Sequence, residues 1–295
     1  RAILSICSHE YQSVLSLFLS IKYNGIKGVI HVLINGILTH IKKNEVDHPK
    51  GAVIIIHGIA EHSGRYDEIT EKLNQTRLNV IRYDLRGHGQ TQGKRGALKS
   101  FHQFVDDLHE IVKLEKQKHD RIFLIGHSMG GLIANLYAVK YGDITGVVSS
   151  AAPTYFIKDV MPFRVIGYRW LGFLKKKTNF ADDQLSRIKE VEEAYIDDPL
   201  NLKHFHYSLA GEMFVGAVRY LNKQIDQYQT PVLIVHGGND KIVPQSFSKR
   251  FFDLIPVEDK TLIVYPENYH EIFNDLDREV VFNDVTQWLS KRVSA

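Results

Sequence analysis

The pentapeptide Gly126-His127-Ser128-Met129-Gly130 places a hydroxyl between two glycines, and its surroundings decide what that hydroxyl can do. Residues 121–125 form a short apolar run of the kind found in buried strands, and residues 132–137 open a helical pattern. A serine on such a strand-to-helix turn is held out of the sheet at a helix N-terminus, where free N–H groups and the helix dipole favour developing negative charge. The glycines let backbone pack tightly around a strained residue. This arrangement suits nucleophilic attack by Ser128 on a carbonyl carbon.

Serine is a poor nucleophile at neutral pH and needs a base within hydrogen-bond reach, itself oriented by a carboxylate. With this turn, the partners are expected to follow in the order acid, then histidine, each just past the C-terminal end of a strand. The apolar run 232–236 is followed by Gly237-Gly238-Asn239-Asp240, which makes Asp240 the acid candidate. The run 261–265 is followed by Pro266-Glu267-Asn268-Tyr269-His270, which makes His270 the base candidate. Taken singly, Asp240 could merely shape a turn and His270 merely sit in a solvated loop. Their joint order and placement favour the catalytic reading. Asp275 and Asp277 lie past His270 and read as residues that cap or precede the last helix.

A tetrahedral intermediate also needs two N–H donors aimed at its oxyanion. Met129, the residue after the nucleophile, is expected to supply one. The other is expected from Ile59, which follows the apolar strand and His57-Gly58. This chemistry calls for no metal and no organic cofactor.

The elements that must position these groups alternate between strand-like and helix-like segments from about residue 27, which predicts parallel βαβ units in a doubly wound α/β sheet. Residues 28–34 and 37–42 read as a hairpin around Asn35-Gly36. Strands are expected over 52–56, 79–83, 121–125, 146–149, 232–236 and 261–265, with helices over 65–74, 101–118, 245–255 and 279–291. Val/Ile runs without alternation predict strands buried on both faces. The rhythm breaks between Pro153 and about Gln229, where helical patches over 160–174, 182–195 and 211–224 come without a convincing strand. The expected organisation is a sheet core, residues 1–152 and 230–295, carrying a helical cap at 153–229 inserted after the sixth strand.

A chain of 295 residues with 44% hydrophobic and 24% charged residues has the composition of an ordinary globular protein. A net charge of +3 without a dense Lys/Arg stripe argues against a nucleic-acid partner. The lone Cys7 precludes an intrachain disulfide. No apolar stretch reaches the roughly 18 residues of a spanning helix, and the run 14–21 is short and interrupted by serines. It lacks a basic flank and a small-residue cleavage site, so a secretory signal is not expected, and a chain that starts at Arg1 rather than Met is expected to have been trimmed or processed. The expected location is the cytoplasm, with peripheral membrane association left open. Nothing in the sequence speaks to oligomeric state.

The residues resemble the serine α/β-hydrolases, and within them the monoglyceride lipase and lysophospholipase group, also classed with serine aminopeptidase-like hydrolases. The matching text is His57-Gly-Ile-Ala-Glu61-His62-Ser-Gly-Arg65-Tyr66, Tyr83-Asp84-Leu-Arg86-Gly87-His88-Gly89 and Gly126-His-Ser-Met-Gly-Gly131, completed by Asp197-Asp-Pro-Leu200, His236-Gly-Gly-Asn-Asp240 and His270-Glu-Ile-Phe-Asn274. It covers roughly residues 50 to 290. The resemblance implies Ser128, Asp240 and His270 as the triad, Ile59 and Met129 as oxyanion donors, and a lipid monoester such as a monoacylglycerol or lysophospholipid as substrate. Ile59 departs from the small residue or Phe usual at its position, and the first 48 residues match poorly. Glu61, Arg65, Asp84 and Arg86 recur in the family as a charged set and read as scaffold under the site; His88 reads the same way.

The cap is expected to choose the substrate. Residues 160–174 are rich in large apolar groups and are followed by Lys175-Lys176-Lys177. They read equally as an apolar lip facing lipid with cations toward anionic headgroups, or as a cap helix packed on the sheet with a solvated lysine run. The rival functions are a small-ester carboxylesterase or thioesterase, an aminopeptidase, and a hydrolase-fold receptor that binds without turnover.

Overall fold

In the computed structural model, which describes residues 28–157, 168–179 and 183–293, the central apolar runs form strands buried on both faces, whereas the run 261–265, expected to be buried likewise, lies at the sheet edge and is only partly buried. β1 spans Val29–Ile34, β2 Ile37–Asn44, β3 Gly51–Ile56, β4 Leu78–Tyr83, β5 Ile122–His127 and β6 Gly146–Ser150. Side chains alternate along a strand, so Ala52, Ile54, Ile56, Ile122 and Leu124 enter one core while Val53, Ile55, Phe123 and Ile125 enter the other. Helices cover both sides. The first core is closed by α2 (His102–Lys116) and α3 (Met129–Lys140) through Phe104, Leu108, Leu132 and Leu136. The second is closed by Ile69 and Leu73 of α1 (Asp67–Gln75) and by Val281, Val285 and Leu289 of the last helix, Arg278–Val293.

With β9 (Val232–Gly237) and β10 (Lys260–Tyr265), the strands form one sheet in the order β1-β2-β4-β3-β5-β6-β9-β10. β2 runs antiparallel to both β1 and β4, and every other neighbouring pair is parallel. The opening hairpin turns at Asn35 (φ 47°) and Gly36 (φ 76°), two successive left-handed residues that match the twist of the flanking strands. From β3 the chain steps to β4 on one side, and from β5 onward it builds the other side. The winding therefore reverses between β3 and β5, and the C-terminal ends of these two strands frame the crevice where α/β sheets place their ligands.

Between β6 and β9 the described residues add nothing to this sheet. They hold α4 (Tyr168–Leu171), β7 (Lys175–Lys177), α5 (Lys189–Asp197), β8 (His204–His206), α6 (Tyr207–Gly211), a π-helical turn at Glu212–Ala217 and α7 (Val218–Lys223). The expectation of a strandless segment is corrected here, because β7 and β8 pair antiparallel, with Lys176 opposite Phe205. All three lysines of β7 are exposed, so their strand comes from distant backbone pairing and leaves no local apolar pattern. The helix expected from residue 182 starts only at Lys189. The Glu192 carboxylate instead accepts the N–H groups of Asp183, Gln184 and Leu185 at 3.0, 2.9 and 2.9 Å, holding them as a loop. Most of the expected 160–174 helix, Cys7 and the 14–21 run lie outside the described residues. Two further helices, α8 (Ser246–Leu254) and α9 (Arg278–Val293), complete the core.

Candidate active site

Ser128 joins β5 to α3 with φ 52° and ψ −119°, a conformation that costs a non-glycine residue about 1–3 kcal/mol. Its N–H donates to the Ser150 carbonyl of β6 at 2.8 Å, and its own carbonyl accepts the first helical N–H, from Leu132, at 3.1 Å. The turn is closed so tightly that a Cβ on Gly130 would lie 2.0 Å from the Ile56 carbonyl oxygen. The glycine therefore lets the sharp turn dock on the neighbouring strand, and the sheet and helix together hold the strained serine.

His270 and Asp240 arrive from the loops after β10 and β9. His270 Nε2 lies 2.9 Å from Ser128 Oγ, and Nδ1 lies 2.7 Å from Asp240 Oδ2. A carboxylate can only accept, so Nδ1 carries the proton and Nε2 is left to accept from the serine hydroxyl. Asp240 is held by four donors. Its Oδ1 accepts the N–H groups of Ile242 and Val243 at 2.8 and 2.9 Å, and its Oδ2 is shared between His270 and His236 Nε2, the latter at 3.1 Å. His236 is oriented in turn by the Ser248 hydroxyl, 2.7 Å from its Nδ1.

Burial works against a charged His270, but the adjacent Asp240 carboxylate outweighs it and raises the imidazole above its ordinary pKa of 6.5. Burial likewise pushes Asp240 up, and His270 and His236 overcome it, holding the carboxyl well below its usual range. His127, whose ring centroid is 4.8 Å from that of His270, is lowered to about 4, first by burial and then by the proximity of His270. It stays uncharged beside a base that must ionise.

The loop after β3 is clamped at Gly58. His57 accepts the Leu85 N–H on Nε2 at 2.9 Å, so its Nδ1 carries the proton that donates to the Gly58 carbonyl at 2.7 Å. The Gly58 N–H donates to Glu61 Oε1 at 2.5 Å. A Cβ at Gly58 would come within 2.7 Å of that carboxylate oxygen, and 3.3 Å from the Ser128 Cβ. Ile59 follows and, with Ser128, borders the cavities above the site; Met129 is the first residue of α3. Glu61 also accepts from the Tyr66 hydroxyl at 2.7 Å and from Arg65 at 3.1 Å, and Arg65 forks onto Glu271, next to His270. Asp84 accepts the N–H groups of Ser63 and Gln90, and Arg86 pairs with Asp107 at 2.7 Å through two bonds. These charges brace loops. His88 is buried in the core beside His57 and Phe104, with ring centroids 5.4 and 6.1 Å away.

The segment before α5 meets the histidine loop directly. The Leu185 carbonyl accepts the Glu271 N–H at 2.8 Å, and Arg187 reaches Asp275, Asn268 and Asp277 at 3.0, 3.0 and 2.6 Å. Asp275 is fully buried and also receives the Tyr269 N–H at 2.8 Å. Further contacts seat the 153–229 segment on the core: His62 Nε2 lies 2.7 Å from Asp198 Oδ2, and the Leu202 N–H donates to the Ala60 carbonyl at 3.0 Å. Above Ser128 opens a cavity of about 550 Å³, bounded by Pro153, Phe205, Tyr207, Phe214 and Val243 on its apolar sides. That volume takes a chain-like ligand.

Sequence reasoning singled out Ser128, Asp240 and His270, which lie within hydrogen-bond distance in the structure, but it gave no role to His236, Glu271 or Arg187. His236 carries a readable signal, standing four residues before Asp240 across a glycine turn. Arg187 and Asp275 carry none, since 88 residues separate them.

Three comparisons bear on this geometry. The sequence model of the family described as serine aminopeptidase, S33, matches residues 47–277. The monoacylglycerol lipase of Mycolicibacterium smegmatis is 34% identical over 249 residues, 82% of this chain and 88% of that protein. The phospholipase YtpA of Bacillus subtilis is 27% identical over 244 residues, 81% of this chain and 94% of that one. Among solved structures, the monoacylglycerol lipase of Paleococcus ferrophilus superposes with a TM-score of 0.79 at 31% identity, covering 86% of this chain and 99% of its own. A serine on a strand-to-helix turn, a histidine in hydrogen-bond reach and these similarities converge: the chain belongs to the serine aminopeptidase S33 family of α/β-hydrolases.

Proposed function

We propose that this serine ester hydrolase cleaves a lipid-like monoester, a monoacylglycerol or a lysophospholipid, through an acyl-enzyme on Ser128. The observation that carries the reading is His270 Nε2 at 2.9 Å from Ser128 Oγ, at the floor of the 550 Å³ cavity. The Ser128 oxygen attacks the ester carbonyl as its proton passes to His270 Nε2, while Asp240 holds the imidazole orientation. The Ile59 and Met129 N–H groups take the oxyanion, each worth about 3 kcal/mol of barrier. Collapse breaks the ester C–O bond, and His270 returns the proton to the leaving alcohol. Water, deprotonated by His270, then attacks the acyl-serine and releases the fatty acid, and the proton returns to Ser128 Oγ. A side pocket of about 30 Å³ beside Ile59, Ser128 and His270 is large enough for a water molecule.

The relatives whose names print monoacylglycerol lipase and phospholipase support the substrate class. The cavity's volume of about 550 Å³ and its apolar walls support an acyl chain over a small ester. Residues 153–229 act in this reading as the cap. Trp170 and Phe173, 82% and 70% exposed and next to the β7 lysines, support peripheral membrane contact through it, and no helix among the described residues is long and apolar enough to cross a membrane.

A fluorophosphonate probe should label Ser128 in folded wild type and not in Ser128→Ala. Monoacylglycerol and lysophosphatidylcholine assayed side by side with p-nitrophenyl butyrate should show turnover favouring the long acyl chains. A folded, unlabelled Ser128 would sink the mechanism, and a preference for the butyrate would sink the lipid reading.

A further inference from the structure

β9 sends Val232 and Ile234 into the first core, which also holds Phe251 of α8, and Leu233 and Val235 into the second. The same alternation turns His236 toward the first core, at a position where a buried strand ordinarily carries an aliphatic residue. The side chain is fully buried, and a polar ring at such a place is stable only with its nitrogens paired. Nδ1 lies 2.7 Å from Ser248 Oγ, while Nε2 lies 3.0 Å from the Val243 carbonyl oxygen and 3.1 Å from Asp240 Oδ2. A carbonyl and a carboxylate can only accept, so Nε2 carries the proton and shares it between them, and Nδ1 accepts from the Ser248 hydroxyl.

Asp240 Oδ2 thus stands between two imidazoles, 2.7 Å from His270 Nδ1 and 3.1 Å from His236 Nε2. The glycines between His236 and Asp240 make this possible. A Cβ on Gly237 would run into the Tyr269 carbonyl, and one on Gly238 would lie 2.5 Å from that of Pro266. The Asn239 N–H donates to the Asn268 carbonyl at 3.0 Å, so the acid turn and the base loop are locked together while Asp240 folds back over the residue four before it. The Ile242 and Val243 N–H groups hold Oδ1; His236 meets Oδ2, the oxygen that serves the base. A second donor on that oxygen draws off part of its charge, which favours the ionised carboxyl and weakens its pull on the His270 proton.

We propose that His236 is a positioning residue for the triad: through Nε2 it fixes the Asp240 carboxylate and limits that carboxylate's hold on the His270 ring, so that the base both takes the Ser128 proton and gives it up. This rests on the acyl-enzyme reading above and deepens it. His270 is also faced by Glu61 and Glu271, which share Arg65, by His127 of β5, and by Lys241 over the neighbouring Tyr269 ring. From the inserted segment, the loop whose Gln184 carbonyl accepts the His270 N–H at 3.4 Å carries Asp183 and Arg187, the latter paired with Asp275. All of these remain in the variants below, so a change in the titration of His270 reports on His236, which is itself faced by Asp240 and, from α8, by the Ser248 hydroxyl.

The test follows the second-order rate of fluorophosphonate labelling of Ser128 against pH, a readout that requires no choice of ester, in wild type, His236→Leu, His236→Gln and Ser248→Ala, each checked for folding by circular dichroism. His236→Leu keeps the bulk and removes the N–H. Its plateau rate should fall about tenfold as the carboxylate loses a tether, and its acid limb should rise by roughly half a pH unit because Oδ2 then serves His270 alone. His236→Gln, whose amide N–H reaches where Nε2 stands, should return the limb to the wild-type position. Ser248→Ala leaves the ring in place without its anchor and should move the limb the same way by less, which keeps the proposal open to test if His236→Leu does not fold. A limb unmoved or lowered in Ser248→Ala and in any folded His236→Leu, or a Gln variant shifted as far as the Leu variant, shows that the ring merely packs; this overturns the assignment and leaves the acyl-enzyme reading standing. Folded wild type whose Ser128 takes no fluorophosphonate overturns both.

Discussion

The Arg187 guanidinium donates to Asp275 Oδ1 at 3.0 Å, the same oxygen that accepts the Arg187 backbone N–H at 3.0 Å, so one residue of the inserted segment holds one buried carboxylate twice. The other oxygen of Asp275 accepts from Tyr269, immediately before His270. The base is thereby positioned from outside the sheet.

Arg187→Met should therefore act on catalysis from a distance. Asp275 would remain buried with no cation facing it, a loss of about 3 kcal/mol. We expect a lower melting temperature and a kcat reduced about tenfold by a mispositioned imidazole, with Arg187→Lys intermediate. Ester turnover alongside thermal melts checks this; unchanged kcat in a folded Arg187→Met protein would contradict it.

The pH dependence follows from the Asp240–His270 pair. Ester attack needs Nε2 unprotonated, and the carboxylate raises the imidazole above 6.5, so the acid limb of kcat/KM should lie above pH 6.5. In Asp240→Asn the limb should move to lower pH, with kcat down by about 10⁴ as the ring loses its orienting acceptor. A pH–rate profile on a soluble ester measures both.

Glu61 links the oxyanion loop to acid stability. Burial raises its pKa, but the Arg65 guanidinium, with the hydrogen bond from the Tyr66 hydroxyl, more than offsets this and holds it at about 2, against 4.5 for an ordinary glutamate. A depressed carboxyl contributes stability above its unfolded pKa and loses it as pH falls through the folded one. Its contribution, about 3 kcal/mol, should be present above pH 4.5 and vanish toward pH 2. Glu61→Gln should flatten the stability curve over that window in denaturant titrations.

Gly130→Ala should abolish folding or soluble expression. The added methyl would meet the Ile56 carbonyl at 2.0 Å, and neither the strand nor the helix can retreat without opening the core. Circular dichroism on whatever protein is recovered decides it.

Much of the core was legible because its signals are local. Val53 and Ile54 in one unbroken apolar run announce a strand buried on both faces, and Ser128 stands between a strand pattern and a helix pattern. Asp240 and His270 each follow a strand by a few residues. The inserted segment was harder to read. β7 is three lysines whose strand depends on pairing with His204–His206, and the start of α5 depends on Glu192 capping the loop before it. The Arg187–Asp275 pair and the fork of Arg65 onto Glu271, 206 residues away, depend on tertiary proximity that no local pattern carries.

Ser128 is held at φ 52°, where glycine is at ease and serine is not. Heat tolerance and turnover thus compete at a single backbone position. A lineage no longer selected for ester cleavage would gain endurance by exchanging this serine for glycine, and inactive descendants of the fold should melt later than their working ancestors.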